Sequence, residues 1–119
     1  MRNDKENIIV KLTFEFALDI IEFSEVLDTN RKFVVAKQIL RSGTSIGANV
    51  REAQNAESKN DFIHKFKIAA KEIDETKYWL VLCKYSSSYP ECQHLEQLLF
   101  EIEKIVTKII STSKATKNV

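Results

Sequence analysis

The stretch Arg41-Ser42-Gly43-Thr44-Ser45-Ile46-Gly47-Ala48-Asn49-Val50-Arg51-Glu52-Ala53 lies inside a run that otherwise reads as a long amphipathic helix, and it contains both glycines of the chain. An interior glycine costs a helix roughly 1 kcal/mol relative to alanine, so two of them four residues apart require a packing reason. At that spacing they share one helix face. A face of Gly43, Gly47 and small neighbours such as Ser42 and Ser45 admits another backbone at very short range, either within the chain or between copies. Asn49, four residues after Ser45, reads as a partly buried amide that fixes helix register, the alternative being a ligand or nucleic-acid contact.

Outward from this stretch the chain reads as four helices. On the N-terminal side, from about residue 4 to 28, Ile9, Leu12, Phe16, Ile20, Phe23 and Leu27 recur at steps of three and four, the stripe of an amphipathic helix. A break at Asp28-Thr29-Asn30 offers Thr29 or Asn30 as the cap of a second helix running from about Arg31 to Ala56. Ser58-Lys59-Asn60-Asp61 has the form of a capping box and opens a third helix. Along it Phe62, Phe66, Ala69, Ile73, Thr76, Leu80 and Cys83 form a seam facing other helices. Ser86-Ser87-Ser88-Tyr89-Pro90 ends that pattern, and Pro90 suits the first turn of a fourth helix. Its apolar face runs from Leu95 to Ile110, and residues 111–119 lose the periodicity and read as a frayed tail.

Composition agrees with this reading. A chain of 119 residues that is 44% hydrophobic supports one core, hence a single domain over 1–119. Two glycines and one proline leave room for only a few connections between long elements. The expected fold is therefore all-α, an antiparallel up-down-up-down four-helix bundle. The N-terminus lacks the pattern of a secretory signal, no apolar run reaches the ~20 residues of a membrane span, and two cysteines are too few for a disulfide framework. These features point to a cytoplasmic protein, with Cys83 a buried hydrophobe and Cys92 a free thiol.

Eighteen Lys and Arg against 17 Asp and Glu leave a net charge of +1, yet the charges are sorted by helix. From Thr29 to Arg51 there are five basic residues and no acidic one, whereas the first and fourth helices carry an excess of acid. Lys37, Arg41 and Arg51 on the second helix and Lys65, Lys67 and Lys71 on the third are candidate contacts for RNA or DNA phosphates. The alternatives are a solvated face satisfied by neighbouring acids and electrostatic pairing between copies.

Chemistry of other kinds has little support. His64 and His94 sit in no metal-spaced or nucleophile-linked pattern, and no glycine-rich phosphate loop is present. Glu52, Glu72 and Glu75 are carboxylates without the Glu-x-x-His pairs that a di-iron bundle uses. No enzyme, metal, cofactor or small-molecule substrate is expected. Trp79, one position off the seam and beside Tyr78, is a candidate interface anchor, and surplus apolar positions such as Phe14, Ile21 and Val81 point to self-association.

The stretch Leu40 to Ala53, together with Glu57-Ser58-Lys59-Asn60-Asp61-Phe62 and the run from Ala69 to Leu80, resembles the bacterial four-helix-bundle family that includes proteins encoded by intervening sequences within 23S ribosomal RNA genes. The resemblance covers nearly the whole chain. It implies a small helical protein that assembles as a ring, since the related accessory proteins of diversity-generating retroelements form pentamers and bind nucleic acid alongside reverse transcriptase. The resulting expectation is a non-enzymatic, self-associating scaffold. An RNA- or DNA-binding accessory protein is the second reading.

Overall fold

Leu27, Phe23, Ile20, Phe16 and Ile9 are all buried, as are Ile39, Ile46 and Val50, and so are Phe66, Ile73 and Leu80. Each set follows the three-and-four spacing that places apolar side chains along one side of a helix, so each helix must turn that side towards the others. The computed structural model describes residues 4–117, with side chains described for residues 8–116. It contains α1 (Asp4–Thr29), α2 (Phe33–Ala53), α3 (Lys59–Tyr85) and α4 (Gln93–Lys117), with no strand among the described residues. The molecule measures 51 × 21 × 21 Å.

Helix α1 packs against α2 and α4, and α3 packs against α2 and α4, which leaves α1 and α3 on one diagonal and α2 and α4 on the other. Neighbours run antiparallel. Gly43 lies against Ile20 while Gly47 lies against Thr13, and Ser42 meets Thr76 while Glu52 meets Lys65. Rising numbers on one helix therefore pair with falling numbers on the next. Leu95, Leu99, Ile102, Val106 and Ile109 of α4 complete the core. No described helix is long and apolar enough to cross a membrane.

The glycine face is resolved by this packing: both glycines serve the contact between α2 and α1. A Cβ built on Gly43 would stand 2.9 Å from both Cγ1 and Cγ2 of buried Ile20. At Gly47 it would stand 3.2 Å from the Thr13 carbonyl oxygen. The Thr13 hydroxyl donates to the Ile9 carbonyl at 2.8 Å, so this buried group makes its hydrogen bond within its own helix.

Several boundaries differ from the sequence expectation. Helix α2 begins at Phe33 rather than near Arg31, and neither Thr29 nor Asn30 caps it. Thr29 instead ends α1, its hydroxyl donating to the Glu25 carbonyl. Arg31 adopts a positive φ of 65°. The Lys32 amide donates to the Leu27 carbonyl at 2.8 Å and the Arg31 amide to the Asp28 carbonyl at 2.9 Å. This is a Schellman closure with arginine in the position that glycine usually takes.

At its other end α2 stops at Ala53 and continues only as tighter turns through Ala56. The Ser58 cap forms as expected, accepting from the Asp61 amide at 3.0 Å, but the Asp61 carboxylate reaches back to the Glu57 amide rather than to that of Ser58. Phe62 is partly covered, packing against the core and against Phe66 with ring centroids 4.9 Å apart, and its neighbour Ile63 is buried as well. Helix α4 starts at Gln93, three residues after Pro90, and runs to Lys117. Residues 111–117 are thus helical rather than frayed, with Ser113 buried, while 118–119 lie outside the described residues. Cys92 is buried like Cys83, and both thiols are free.

Two substitutions follow from this packing. Gly43→Ala gains roughly 1 kcal/mol of helix propensity but forces the β-branched Ile20 to move, an overpacking cost of about 1–3 kcal/mol. Urea denaturation should show a net loss of stability, larger than for Gly47→Ala, whose neighbour stands farther away. Arg31→Gly relieves a left-handed conformation that costs a non-glycine residue about 1–2 kcal/mol. The same measurement should show a gain, reduced by the greater unfolded-state entropy of glycine.

Candidate functional site

A rotation of 100° per residue along α2 means that, with Gly43 turned to α1, Ser42 turns to α3. Ser42 and Thr76 are both buried, and their hydroxyl oxygens lie 2.8 Å apart. Thr76 Oγ1 also lies 2.7 Å from the Glu72 carbonyl, which can only accept. Thr76 therefore donates to that carbonyl and accepts from Ser42, so one proton on each hydroxyl satisfies both groups.

Directly outside this pair sits a charged cluster. Arg41 donates to Glu75 and, at 3.5 Å, to Glu72. Trp79 Nε1 donates to Glu75 at 3.1 Å, and the indole packs edge-on against Tyr78 with ring centroids 5.6 Å apart. The hydrogen bond from Arg41, reinforced by that from Trp79, holds the Glu75 carboxyl below its ordinary range, and Arg41 is raised in turn. In the last turn of α2, Glu52 accepts from Lys65 at 2.9 Å, which raises the lysine. Asn49 donates to the Ser45 carbonyl at 2.9 Å, so its half-buried amide is tied to its own helix.

The six cations considered for nucleic acid do not form one uniform surface. Arg41 and Lys65 face carboxylates on the α2–α3 side. Arg51 lies on the opposite flank, lining a groove with α1. Lys37, Lys67 and Lys71 are exposed, the last two on the outer side of α3. A phosphate at the α2–α3 side must compete with Glu52, Glu72 and Glu75 for Arg41 and Lys65. The three carboxylates are likewise engaged by these cations. Among the described residues no group of three His, Cys, Asp or Glu side chains is placed to hold a metal ion.

The groove between α1 and α2 is lined by Val10, Phe14, Ala17, Thr44, Ala48 and Arg51, with Thr13 and Gly47 at its base. Small residues on α2 make its floor, and the large ring of Phe14 stands over it. Leu18 and Ile21 extend the same strip along α1, four and seven residues after Phe14, while Leu40 and Phe33 extend it along α2. All five of these large side chains are 37 to 57% exposed. Phe14 and Ile21 were legible as surplus apolar positions. Leu18, Phe33 and Leu40 were missed, although each is a large apolar residue off its helix's buried stripe. At the far end of the molecule, the Cys83 and Cys92 thiols border a second depression, and burial pushes them up to about 11 and about 12. Such thiols are poor nucleophiles at neutral pH.

The Glu75 cluster has a measurable pH signature. Because its carboxyl titrates lower in the folded chain than in the unfolded one, its contribution is complete above the unfolded value and disappears as pH falls through the folded one. Denaturation at a series of pH values should show a smaller loss of stability on acidification for Glu75→Gln than for the parent chain. An identical acid limb for the two proteins would contradict the assigned role of Glu75.

Residues 5–111 match the family described as 23S rRNA-intervening sequence protein. Among solved structures, the chain is similar to a protein of unknown function from the S23 ribosomal protein family of Bacteroides thetaiotaomicron VPI-5482. The two are 44% identical, with 90% of this chain and 98% of that chain covered and a TM-score of 0.85. Among curated proteins none matches. A match over nearly the full bundle, with a closely superimposable relative, places this chain in the 23S rRNA-intervening sequence protein family.

Proposed function

We propose that this chain is a non-enzymatic helical scaffold that works by associating with copies of itself. The observation that carries this reading is the strip formed by Phe14, Leu18, Ile21, Phe33 and Leu40 along the α1–α2 face. Phe14 and Phe33 each expose about 100 Å² of largely apolar surface, given the 150–250 Å² that an aromatic side chain can bury, and the three aliphatic side chains expose less. Together they expose about 400 Å², a patch of the size that often marks an interaction site. The core does not need them, since each helix already buries a complete stripe. Nor does the site carry a recognisable catalytic constellation: its buried hydroxyls satisfy each other, and its carboxylates are held by Arg41 and Lys65.

Nucleic-acid binding is the weaker reading, because it requires Arg41 and Lys65 to exchange intramolecular carboxylates for phosphates, and Arg51 points to another side. Light-scattering chromatography of the purified chain over a range of salt concentrations discriminates between the two. A defined oligomer that persists at high salt is the expected result, since burial of apolar surface is not screened by ions. A 13.7-kDa monomer at tens of micromolar would sink the scaffold reading.

A further inference from the structure

The groove between α1 and α2 combines an apolar trough with one unengaged cation. Val10 and Phe14 of α1 wall it on one side, and the small residues Thr44, Gly47 and Ala48 of α2 keep the other side shallow. Its two threonine hydroxyls are already committed. Thr13 donates to the Ile9 carbonyl at 2.8 Å and Thr44 to the Leu40 carbonyl at 2.7 Å, each within its own helix. Neither has a proton left for a ligand. Arg51, at the end of the groove and in the last turn of α2, differs. The adjacent Glu52 is turned to Lys65, whereas no group among the described residues accepts from the Arg51 guanidinium. The other arginine of α2, Arg41, is held by Glu72 and Glu75.

We propose that this groove binds a medium-chain fatty acid, with the carboxylate on Arg51 and the alkyl tail laid along Ala48, Gly47 and Thr44. A guanidinium presents two parallel N–H groups to the two oxygens of a carboxylate, so head group and cation match in charge and in shape. The groove has a volume of about 180 Å³. An apolar cavity of about 150 Å³ already holds benzene. From Arg51 to Thr44 the trough follows α2 for about two turns, or about 10 Å along the helix axis, a length that suits an extended alkyl tail better than a flat ring. No other titratable side chain lines the groove, so the ligand is bound and not transformed.

Ligand binding here goes beyond the self-association reading. The groove shares Phe14 with the exposed strip but runs from it towards the end of α2, whereas the strip runs to Phe33 at the start of α2. The parts of the trough lie far apart along the chain and meet only when α1 and α2 pack.

Isothermal titration calorimetry with octanoate, octylammonium and octanol separates the role of the head group from that of the tail, which the three share. The parent chain is expected to bind octanoate, and to bind the other two about tenfold more weakly. Arg51→Gln should weaken octanoate by about the same factor and remove its advantage over octanol. Ala48→Leu, at an exposed position, fills the trough and should abolish binding with Arg51 intact. Circular dichroism verifies the helices, and Thr44→Leu replaces Ala48→Leu should that variant unfold. Octanoate that fails to bind the parent, binds it no better than octylammonium, or binds both variants as it binds the parent overturns the proposal. None of these outcomes bears on the mass measured by light scattering, so failure here leaves the self-association reading standing.

Discussion

The close approach of α2 to α1 at Gly43 and Gly47 is the constraint on which the rest of the molecule depends. With Ile20 filling the space that a Cβ at Gly43 would enter, α2 has one azimuth and one height relative to α1. That azimuth turns Ser42 inward to Thr76 and sets Arg41 beside Glu72 and Glu75. It also leaves Thr44, Ala48 and Arg51 as the outer wall of the α1–α2 groove. A rotation of α2 by a single residue, about 100°, would bury Arg41 or drive a side chain into α1. Placing the two small residues here costs helix propensity, and the close contact they permit sets the register on both sides of α2.

The polar groups then act as a second layer of specification. The Ser42–Thr76 pair sits at the centre of the α2–α3 contact, where a hydroxyl without a partner would be costly. Thr76 makes its own bond within α3, but Ser42 has Thr76 as its acceptor only when the two helices hold one register. The surrounding ion pairs are largely solvent-exposed and add little stability individually. Their physical consequence is to engage Arg41, one of the cations of α2, within the chain. A stretch that carries no acidic residue between Thr29 and Arg51 in the sequence thus gains two carboxylates of α3, Glu72 and Glu75, against Arg41 in the folded molecule.

Much of this architecture was legible in the residues. Heptad-like spacing identified the buried side of α3, the [ST]-x-x-[DE] pattern located its cap at Ser58, and the spacing of the glycines identified a close-contact face. The features that escaped have physical reasons. The closure of α1 uses a left-handed residue, but Arg31 carries none of the glycine signal that usually marks one. The tail stays helical to Lys117 because Val106, Ile109 and Ser113 keep it against the bundle, although the polar residues around Ser113 hide the stripe. The pairing of Arg41 with Glu75 needs the α2–α3 register, and that is a property of the fold rather than of either helix.

The exposed α1–α2 strip is the remaining consequence of this geometry: with the core stripes complete, Phe14, Leu18, Ile21, Phe33 and Leu40 stay on the outer face. The most direct measurement of whether copies of the chain cover it is hydroxyl-radical footprinting over a dilution series, read at Phe14 and Phe33. If copies cover the strip, both rings are protected in concentrated protein and regain reactivity together on dilution. Reactivity at the level of exposed rings at every concentration would contradict the proposed assembly.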